Sequence, residues 1–213
     1  MITKNLSSGA VAMVLVAVAG WVDAAGYLQL GGLFVSFMSG NSTQLGVGLG
    51  RGQWLSAAEA GAVIGVFVLG AFVGELIAIR TGTRHRRVVL LVEAVLLASV
   101  LILPHPPGKF SAAALPMALA LGIQNAALHR VGNRKVSLTY VTGTLVRFGQ
   151  QVAAQVTGRG EPGAWRSDLA AWLAMVAGAV AGAIAFANVE LKCLIVPAVV
   201  LVVLAVGTAK PYP

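Results

Sequence analysis

The chain has 213 residues, of which 58% are hydrophobic and only 10% are charged, and its mean hydropathy is +0.86. A soluble domain carries about 25% charged residues, because polar groups must cover its surface, so this composition excludes a soluble globular fold and predicts a chain surrounded by lipid. The formal net charge is +8, but the basic residues lie in short gaps between apolar runs without interleaved aromatic residues, which is typical of membrane-protein loops and argues against a nucleic-acid partner.

Six apolar runs have the length of a membrane-spanning helix, about 17 to 24 residues each. In chain order they cover residues 9–29, 57–80, 88–104, 113–129, 167–187 and 190–207. They leave no room for a soluble domain, so residues 1–213 are predicted to form a single all-α integral membrane domain in the lipid bilayer. The first run also resembles a signal peptide, but its apolar character continues past Ala19 to Leu30, which favours a retained span.

The two halves of the sequence resemble each other. When Gly40 is aligned with Gly143, residues 36–41 fall on residues 139–144, and residues 20–25 fall on residues 122–127 with a shift of one position. Further matches pair Trp54 with Trp165 and the glycines at 70 and 74 with those at 178 and 182. The chain is therefore predicted to contain an internal repeat, residues 9–104 and 113–207.

Each half contains three apolar runs and one polar segment, residues 33–50 or 136–157. Arg147 lies inside the second segment and is left out of the count. If both segments cross the membrane, the two sides carry 8 and 6 of the other Lys and Arg residues, whereas if both enter and return the sides carry 11 and 3. Cytoplasmic loops are enriched in Lys and Arg. This favours two inverted repeats, each with three spanning helices and one discontinuous or re-entrant segment, and cytoplasmic termini. A full crossing stays open, because an extended stretch followed by a helix to Gly50 just has the required length.

The two polar segments are the clearest candidates for a binding site. Residues 34–39 and 136–142 alternate apolar and hydroxylated side chains in a strand-like pattern, and Ser39 and Thr142 are residue types that cap a following helix. Helix N-termini at such breaks bind the substrate in many secondary transporters. The alternative is that Ser, Thr and Gly only permit close helix packing. The predicted substrate-binding residues are Ser39, Gly40, Asn41, Thr142, Gly143, Thr144 and Arg147.

The stretches GWVDAAGYLQLGG and FVSFMSGNSTQLG together resemble the YoaK family of bacterial multi-pass membrane proteins. The pattern of that family is V-D-A-x-x-Y-L followed by F-x-S-x-M-T-G-N. Asp23, Gly40 and Asn41 match it position by position, and Ser39 replaces the usual Thr while keeping a hydroxyl. The likeness covers nearly the whole chain and implies a protein of the bacterial inner membrane. It implies no substrate.

Ionisable side chains within apolar runs are candidates for function, because their burial in a membrane is costly. Asp23 lies in the middle of the first run and is predicted either to carry a coupling proton or to be a static partner of Arg147 or of the turn at residues 39–41. Arg147 is predicted to hold an anionic substrate or to pair with Asp23, and its planar guanidinium makes Lys a poorer substitute. For Glu93 a structural and a functional role both stay open.

Other classes of site find less support in the sequence. Three scattered His and the single Cys193 show no metal-ligand spacing, and no cofactor is expected. An enzyme would need a nucleophile with a base in reach, and none is clearly placed, so no enzymatic activity is expected. The Gly70/Gly74 and Gly178/Gly182 pairs predict close helix contacts, either within the chain or across a homodimer.

These features predict a small-solute membrane transporter with a site at the midplane between the two repeats. The expected substrate is a small polar or anionic metabolite, and Asp23 is the residue expected to couple transport to protons. One alternative is a passive channel that uses the same segments as a selectivity filter. Another is a structural or partner-binding membrane protein.

Overall fold

The computed structural model describes residues 8–104, 110–127 and 141–207. Every regular element in these ranges is helical, which confirms the all-α prediction for the described part of the chain. The helices are α1 (Ser8–Gln29), α2 (Met38–Gly50), α3 (Trp54–Thr81), α4 (His85–Ser99), α5 (Ala114–Ala127), α6 (Val141–Val156), α7 (Arg166–Val189) and α8 (Ile195–Gly207). The two termini, and residues 136–140 of the second predicted strand-like stretch, lie outside the described residues.

The long apolar helices agree with the prediction of a multi-pass membrane protein. Three continuous helical stretches are long and apolar enough to cross a bilayer, namely Gly9–Gln29, Trp54–Ile102 and Arg166–Gly207. The second and third have 49 and 42 residues, enough for two crossings each at about 20 residues per crossing. Short 3-10 helices at Gly82–Arg84 and Glu190–Leu194 divide them. A shorter apolar helix, Ala114–Ala126, lies between the two.

Exposed apolar side chains also indicate a surface that faces lipid. Phe72 and Ile79 of α3 are 60% and 65% exposed, and Ile184 of α7 is 61% exposed. Similar exposure continues along α8 at Val199, Val203 and Val206. A water-soluble monomer rarely exposes apolar patches this extensive, whereas hydrocarbon chains solvate them without cost.

Helices α1 and α7 pack closely because glycines face backbone atoms across their interface. An added Cβ on Gly178 would meet the carbonyl group of Ala17, and one on Gly182 would lie 2.6 Å from the carbonyl oxygen of Trp21. In the opposite direction, a Cβ on Gly20 would meet the carbonyl oxygen of Met175. Only hydrogen fits at these three positions.

Helices α3 and α5 meet in the same way. A Cβ on Gly70 would meet the carbonyl oxygen of Leu119, one on Gly74 would lie 2.6 Å from that of Ile123, and one on Gly122 would meet that of Phe67. The predicted close contacts of the Gly70/Gly74 and Gly178/Gly182 pairs therefore occur within the chain. Because helices of the same chain occupy both glycine faces, these faces are not available for a homodimer interface.

The remaining packed pairs complete the bundle. Helix α4 packs on α8, α5 and α3, α2 packs on α3, and α6 packs on α7. Gly52, at φ 69°, lies in the turn from α2 to α3, and Gly82, at φ 52°, lies in the turn from α3 to α4. Both have the left-handed conformation that glycine adopts without strain. The two short helices α2 and α6 thus each lie against the beginning of a long helix.

The predicted start of α2 differs from the observed one. Residues 33–37 are irregular rather than strand-like, and the helix begins at Met38, with Phe37 at the cap position and no side-chain capping bond. Ser39 therefore lies in the first helical turn and is exposed, so its predicted role as a cap is wrong. The physical reason is that backbone groups before the helix bind the side chains of Asp23 and Asn41 instead. Thr142 likewise lies inside a helix, α6.

Candidate functional site

The irregular segment between α1 and α2 is held by a carboxylate in the membrane-spanning part of α1. Asp23 Oδ1 accepts hydrogen bonds from the backbone N–H groups of Val35, at 2.9 Å, and Ser36, at 2.8 Å. The side chain is only 7% exposed. Backbone N–H groups away from water need a partner, and a charged acceptor makes the stronger kind of hydrogen bond. Asp23 thus fixes residues 35 and 36 against the helix.

Asn41 binds the same segment from its other side. Its Oδ1 accepts the backbone N–H of Phe34 at 3.0 Å, and its Nδ2 donates to the carbonyl oxygen of Phe34 at 2.6 Å. The fully buried amide therefore satisfies both polar groups of one residue, as a neighbouring strand would. Gln44 Nε2 adds a hydrogen bond of 2.7 Å to the carbonyl oxygen of Gly32. We call residues 32–36 with Asp23, Asn41 and Gln44 the anchored segment.

Aromatic rings cover the anchored segment. The rings of Tyr27 and Phe34 have centroids 4.9 Å apart, and those of Phe34 and Phe37 are 5.3 Å apart. A Cβ on Gly40 would lie 2.7 Å from the Phe37 ring and 3.1 Å from the Phe34 ring, so glycine is required for this packing. The positions that carry the sequence resemblance thus belong to one structural unit.

A second polar cluster joins α6 to the first turn of α7. Arg147 donates from Nε and Nη2 to Asp168 Oδ1 at 3.2 and 3.1 Å, and from Nη2 to the hydroxyl of Thr144 at 3.0 Å. Gln151 Nε2 donates to Asp168 Oδ2 at 2.8 Å. The Asp168 side chain is 12% exposed, whereas the Arg147 side chain is 39% exposed. We call these four residues the Asp168 cluster.

The predicted binding residues fall into these two groups. Asn41 belongs to the anchored segment, Gly40 packs against its aromatic cover and Ser39 is exposed beside it. Thr144 and Arg147 belong to the Asp168 cluster, with Gly143 buried beside them and Thr142 exposed. Arg147 pairs with Asp168 rather than with Asp23, whose partner is the backbone before α2. Over their described lengths α2 and α6, which carry most of the two groups, share no extensive interface.

Sequence reasoning missed Asp168 as a partner of Arg147. The two residues are separated by 21 positions, which matches no local spacing, and Asp168 lies at the edge of an apolar run, where a charge is ordinary. The available signal was an acidic residue in the first turn of a helix, which the helix dipole favours. Among the described residues no group of three or more His, Cys, Asp or Glu side chains has an arrangement that could hold a metal ion.

The Arg147–Asp168 pair is expected to stabilise the attachment of α6 to α7. In a double-mutant cycle with Arg147→Met and Asp168→Asn, we expect a coupling energy of about 1 kcal/mol, because the pair is hydrogen-bonded but only partly buried. The measurement is unfolding of the purified protein in mixed micelles. Replacing exposed Arg159 by Met in the same cycle should give no coupling to Asp168, and equal coupling for both arginines would contradict a specific pair.

Comparison with known proteins finds similarity to membrane proteins of bacteria. The chain is 34% identical over 166 residues to the UPF0700 transmembrane protein RA0705 of Rhizobium meliloti (strain 1021), which covers 78% of the chain and 70% of that protein. It is 25% identical over 147 residues to the UPF0700 transmembrane protein YoaK of Bacillus subtilis (strain 168), covering 65% and 64%. No solved structure matches the chain significantly.

The family resemblance inferred from the two motifs is thereby confirmed. The relatives are named as transmembrane proteins of bacteria, in agreement with the apolar helices of the fold. A family model described as "Protein of unknown function (DUF1275)" matches residues 11–207. Because this match spans nearly the whole sequence, the chain belongs to the DUF1275 family.

Proposed function

We propose that this protein transports a small solute across the bacterial inner membrane, with two inverted repeats and a binding site at their polar segments. The observation that carries the proposal is the anchored segment, a non-helical stretch fixed by buried polar side chains within a bundle of apolar helices. Irregular backbone at membrane depth occurs only where protein or a water-filled cavity covers it. In many secondary transporters it forms the substrate site.

The order of contacts in the anchored segment supports a re-entrant path. Ser36 bonds to Asp23, Phe34 to Asn41 and Gly32 to Gln44. Residues earlier in the segment thus contact residues later in α2, since Phe34 bonds to Asn41 and Gly32 to Gln44. Helix α2 therefore runs antiparallel to the segment that leads to it. The turn lies near Asp23, about 9 Å inside the end of α1 at 1.5 Å per residue. These contacts support the proposal that the chain enters and returns here, which is the topology that the distribution of Lys and Arg predicts.

The glycine contacts support the internal repeat. Gly20 and Gly122 are aligned in the two halves, as are Gly70 with Gly178 and Gly74 with Gly182. The contact of α1 with α7 corresponds residue by residue to that of α5 with α3, because Ala17 and Leu119, and Trp21 and Ile123, occupy aligned positions. Each half would then supply one short helix, α2 or α6, and inverted repeats would place the two on opposite sides of the midplane.

The substrate proposed is a small polar or anionic metabolite. In the alignment of the halves Arg147 corresponds to Gln44, so the second segment carries a guanidinium where the first carries an amide. Arg147 is partly exposed and has Thr144 beside it, which suits a solute with oxygen acceptors. The role of Asp23 as a coupling carboxylate stays a prediction, because its bonds to Val35 and Ser36 also explain why a carboxylate lies there.

Ligand-dependent stability of the full-length protein tests the proposal. The purified protein in lipid nanodiscs would be heated with a panel of metabolites and small anions at two pH values. A ligand at about 100 times its Kd stabilises the folded state by about 2.7 kcal/mol and raises the Tm. We expect at least one such ligand, and we expect Arg147→Ala to abolish its effect.

Arg159→Ala is the matched control, since Arg159 is exposed and lies outside the Asp168 cluster, and this variant should keep the Tm shift. If the ligand still raises the Tm of Arg147→Ala, Arg147 does not belong to the binding site. A broad panel without any shift would overturn the transporter proposal in favour of a channel or a structural role.

A further inference from the structure

Glu93 of α4 is a buried carboxyl group that none of the contacts described above uses. Its side chain is fully buried, and the neighbouring positions on the same helix face, Leu90, Ala94 and Leu97, are buried and apolar. All five glutamates of the chain lie in the described ranges, and Glu93 is the buried one among them. An isolated carboxylate at such a place is expensive unless it is paired or protonated.

The partner of Glu93 is an amide on the neighbouring helix. Gln124 of α5, also fully buried, donates from Nε2 to Glu93 Oε1 at 2.9 Å. Two atoms of this pair then remain: Glu93 Oε2 and Gln124 Oε1 are both buried and have no hydrogen-bond partner among the described residues. If the carboxyl group is ionised, both atoms are acceptors and neither can satisfy the other.

One added proton gives both of these atoms a hydrogen-bond partner. A proton on Glu93 Oε2 turns that atom into a donor, and the acceptor it needs is Oε1 of the amide that already binds the other carboxyl oxygen. If the amide had the opposite orientation, its oxygen would face Glu93 Oε1, and a proton would again be needed between two acceptors. The pair is thus complete as a neutral carboxylic acid with a primary amide, joined by two hydrogen bonds.

Among the described residues, the charged groups around the pair do not supply a counter-ion. The helices that pack on α4 are α3, α5 and α8. Over their described lengths α5 and α8 contain no ionisable side chain, whereas α3 contains Glu59, Glu75 and Arg80. The first turn of α4 carries His85, Arg86 and Arg87, about two turns from Glu93, and the 3-10 helix Gly82–Arg84, which also packs on α4, adds Arg84. Within the described residues none of these forms an ion pair with Glu93.

We propose that Glu93 is a proton-binding site at the contact between α4 and α5, closed by Gln124 when the proton is bound. A proton taken from water forms an O–H bond at Oε2, and its release leaves a carboxylate that must find water or a cation. Because the pair bridges two helices, release of the proton favours their separation. This inference rests on the transporter proposal and adds Glu93, beside Asp23, as a carrier of the coupling proton.

Infrared spectroscopy of the full-length protein in lipid tests the site without a substrate. At neutral pH we expect the C=O stretch of a protonated carboxyl group, separate from the bands of ionised carboxylates. Labelling with ¹³C-glutamate should shift this band, and Glu93→Gln should remove it. Gln124→Leu should move it to higher frequency, because the hydrogen bond from the amide to the carboxyl group is lost. Glu161→Gln, at an exposed glutamate outside both polar clusters, is the matched control and should leave the band unchanged.

The outcomes separate the inference from the transporter proposal. No band at neutral pH, a band that ¹³C-glutamate does not shift, or one that survives in Glu93→Gln would overturn the proton site. If Glu93→Gln fails to fold, the isotope label and Gln124→Leu still decide. Where a ligand is found, Glu93→Gln should keep its binding but lose the pH dependence of its uptake into vesicles. A panel without ligands would defeat the transporter proposal and leave the infrared result standing.

Discussion

Replacing Gly74 by Ala is expected to lower the free energy of unfolding by about 3 kcal/mol. The added methyl group would lie 2.6 Å from the carbonyl oxygen and 2.9 Å from the Cα of Ile123. These are backbone atoms of a packed helix, so they cannot rotate away as a flexible side chain would, and α3 and α5 must separate. The measurement is unfolding of the purified protein in mixed micelles with increasing amounts of denaturing detergent.

The matched control lies on the same helix. A Cβ on Gly65 would have no atom within 4 Å, and Ala has a higher helix propensity than Gly by about 1 kcal/mol. Gly65→Ala should therefore be neutral or stabilising. Equal loss of stability in the two variants would show that helix flexibility, rather than the close approach of α3 to α5, explains the effect at Gly74.

Replacing Asp23 by Ala is expected to cost about 3 kcal/mol of stability, because it leaves two backbone N–H groups without an acceptor where water is scarce. The same substitution should release residues 32–36, so α2 should lose its fixed position against α3. Faster cleavage by trypsin after Arg51, which is exposed at the end of α2, would report this release. Unfolding in mixed micelles gives the energy.

The Asp23→Asn variant shows whether the hydrogen-bond acceptor or the negative charge of Asp23 is needed for stability. The amide keeps an oxygen at the Oδ1 position, so both N–H groups of Val35 and Ser36 retain a partner, and less than half of the stability loss is expected. If the Asn and Ala variants were equally unstable, the negative charge rather than hydrogen bonding would be the important property of Asp23. Hydrogen bonding to Val35 and Ser36 would then explain only part of the contribution of Asp23 to stability.

The spans were predictable from the sequence because the thickness of the bilayer imposes one length on every run of lipid-compatible residues. Each of the six predicted runs overlaps a described helix over most of its length. The start of α2 was not predictable, because the local pattern at Ser39 resembles a cap while the true partners of the preceding N–H groups are remote. Asp23 lies 12 and 13 residues from the groups it binds.

The candidate site was predictable only in part for a similar reason. Asp23 and Asn41 are recognisable as unusual residues in apolar surroundings, and a static role for Asp23 at this turn was one of the stated alternatives. By contrast, the pairing of Arg147 with Asp168 and of Glu93 with Gln124 joins residues 21 and 31 positions apart. Such pairs depend on which helices become neighbours, and a single sequence carries no periodic signal for that choice.

The glycine contact between α1 and α7 has a consequence for biogenesis. During synthesis α1 enters the bilayer long before the ribosome has translated α7. The face of α1 around Gly20 therefore has no helix packed on it while most of the chain is synthesised. The same holds, over a shorter interval, for α3 until α5 emerges. Insertion therefore precedes assembly, and the close backbone contacts form in a late step that depends on the C-terminal helices. A chain interrupted before α7 would leave α1 inserted but unassembled, which is a natural substrate for membrane quality control.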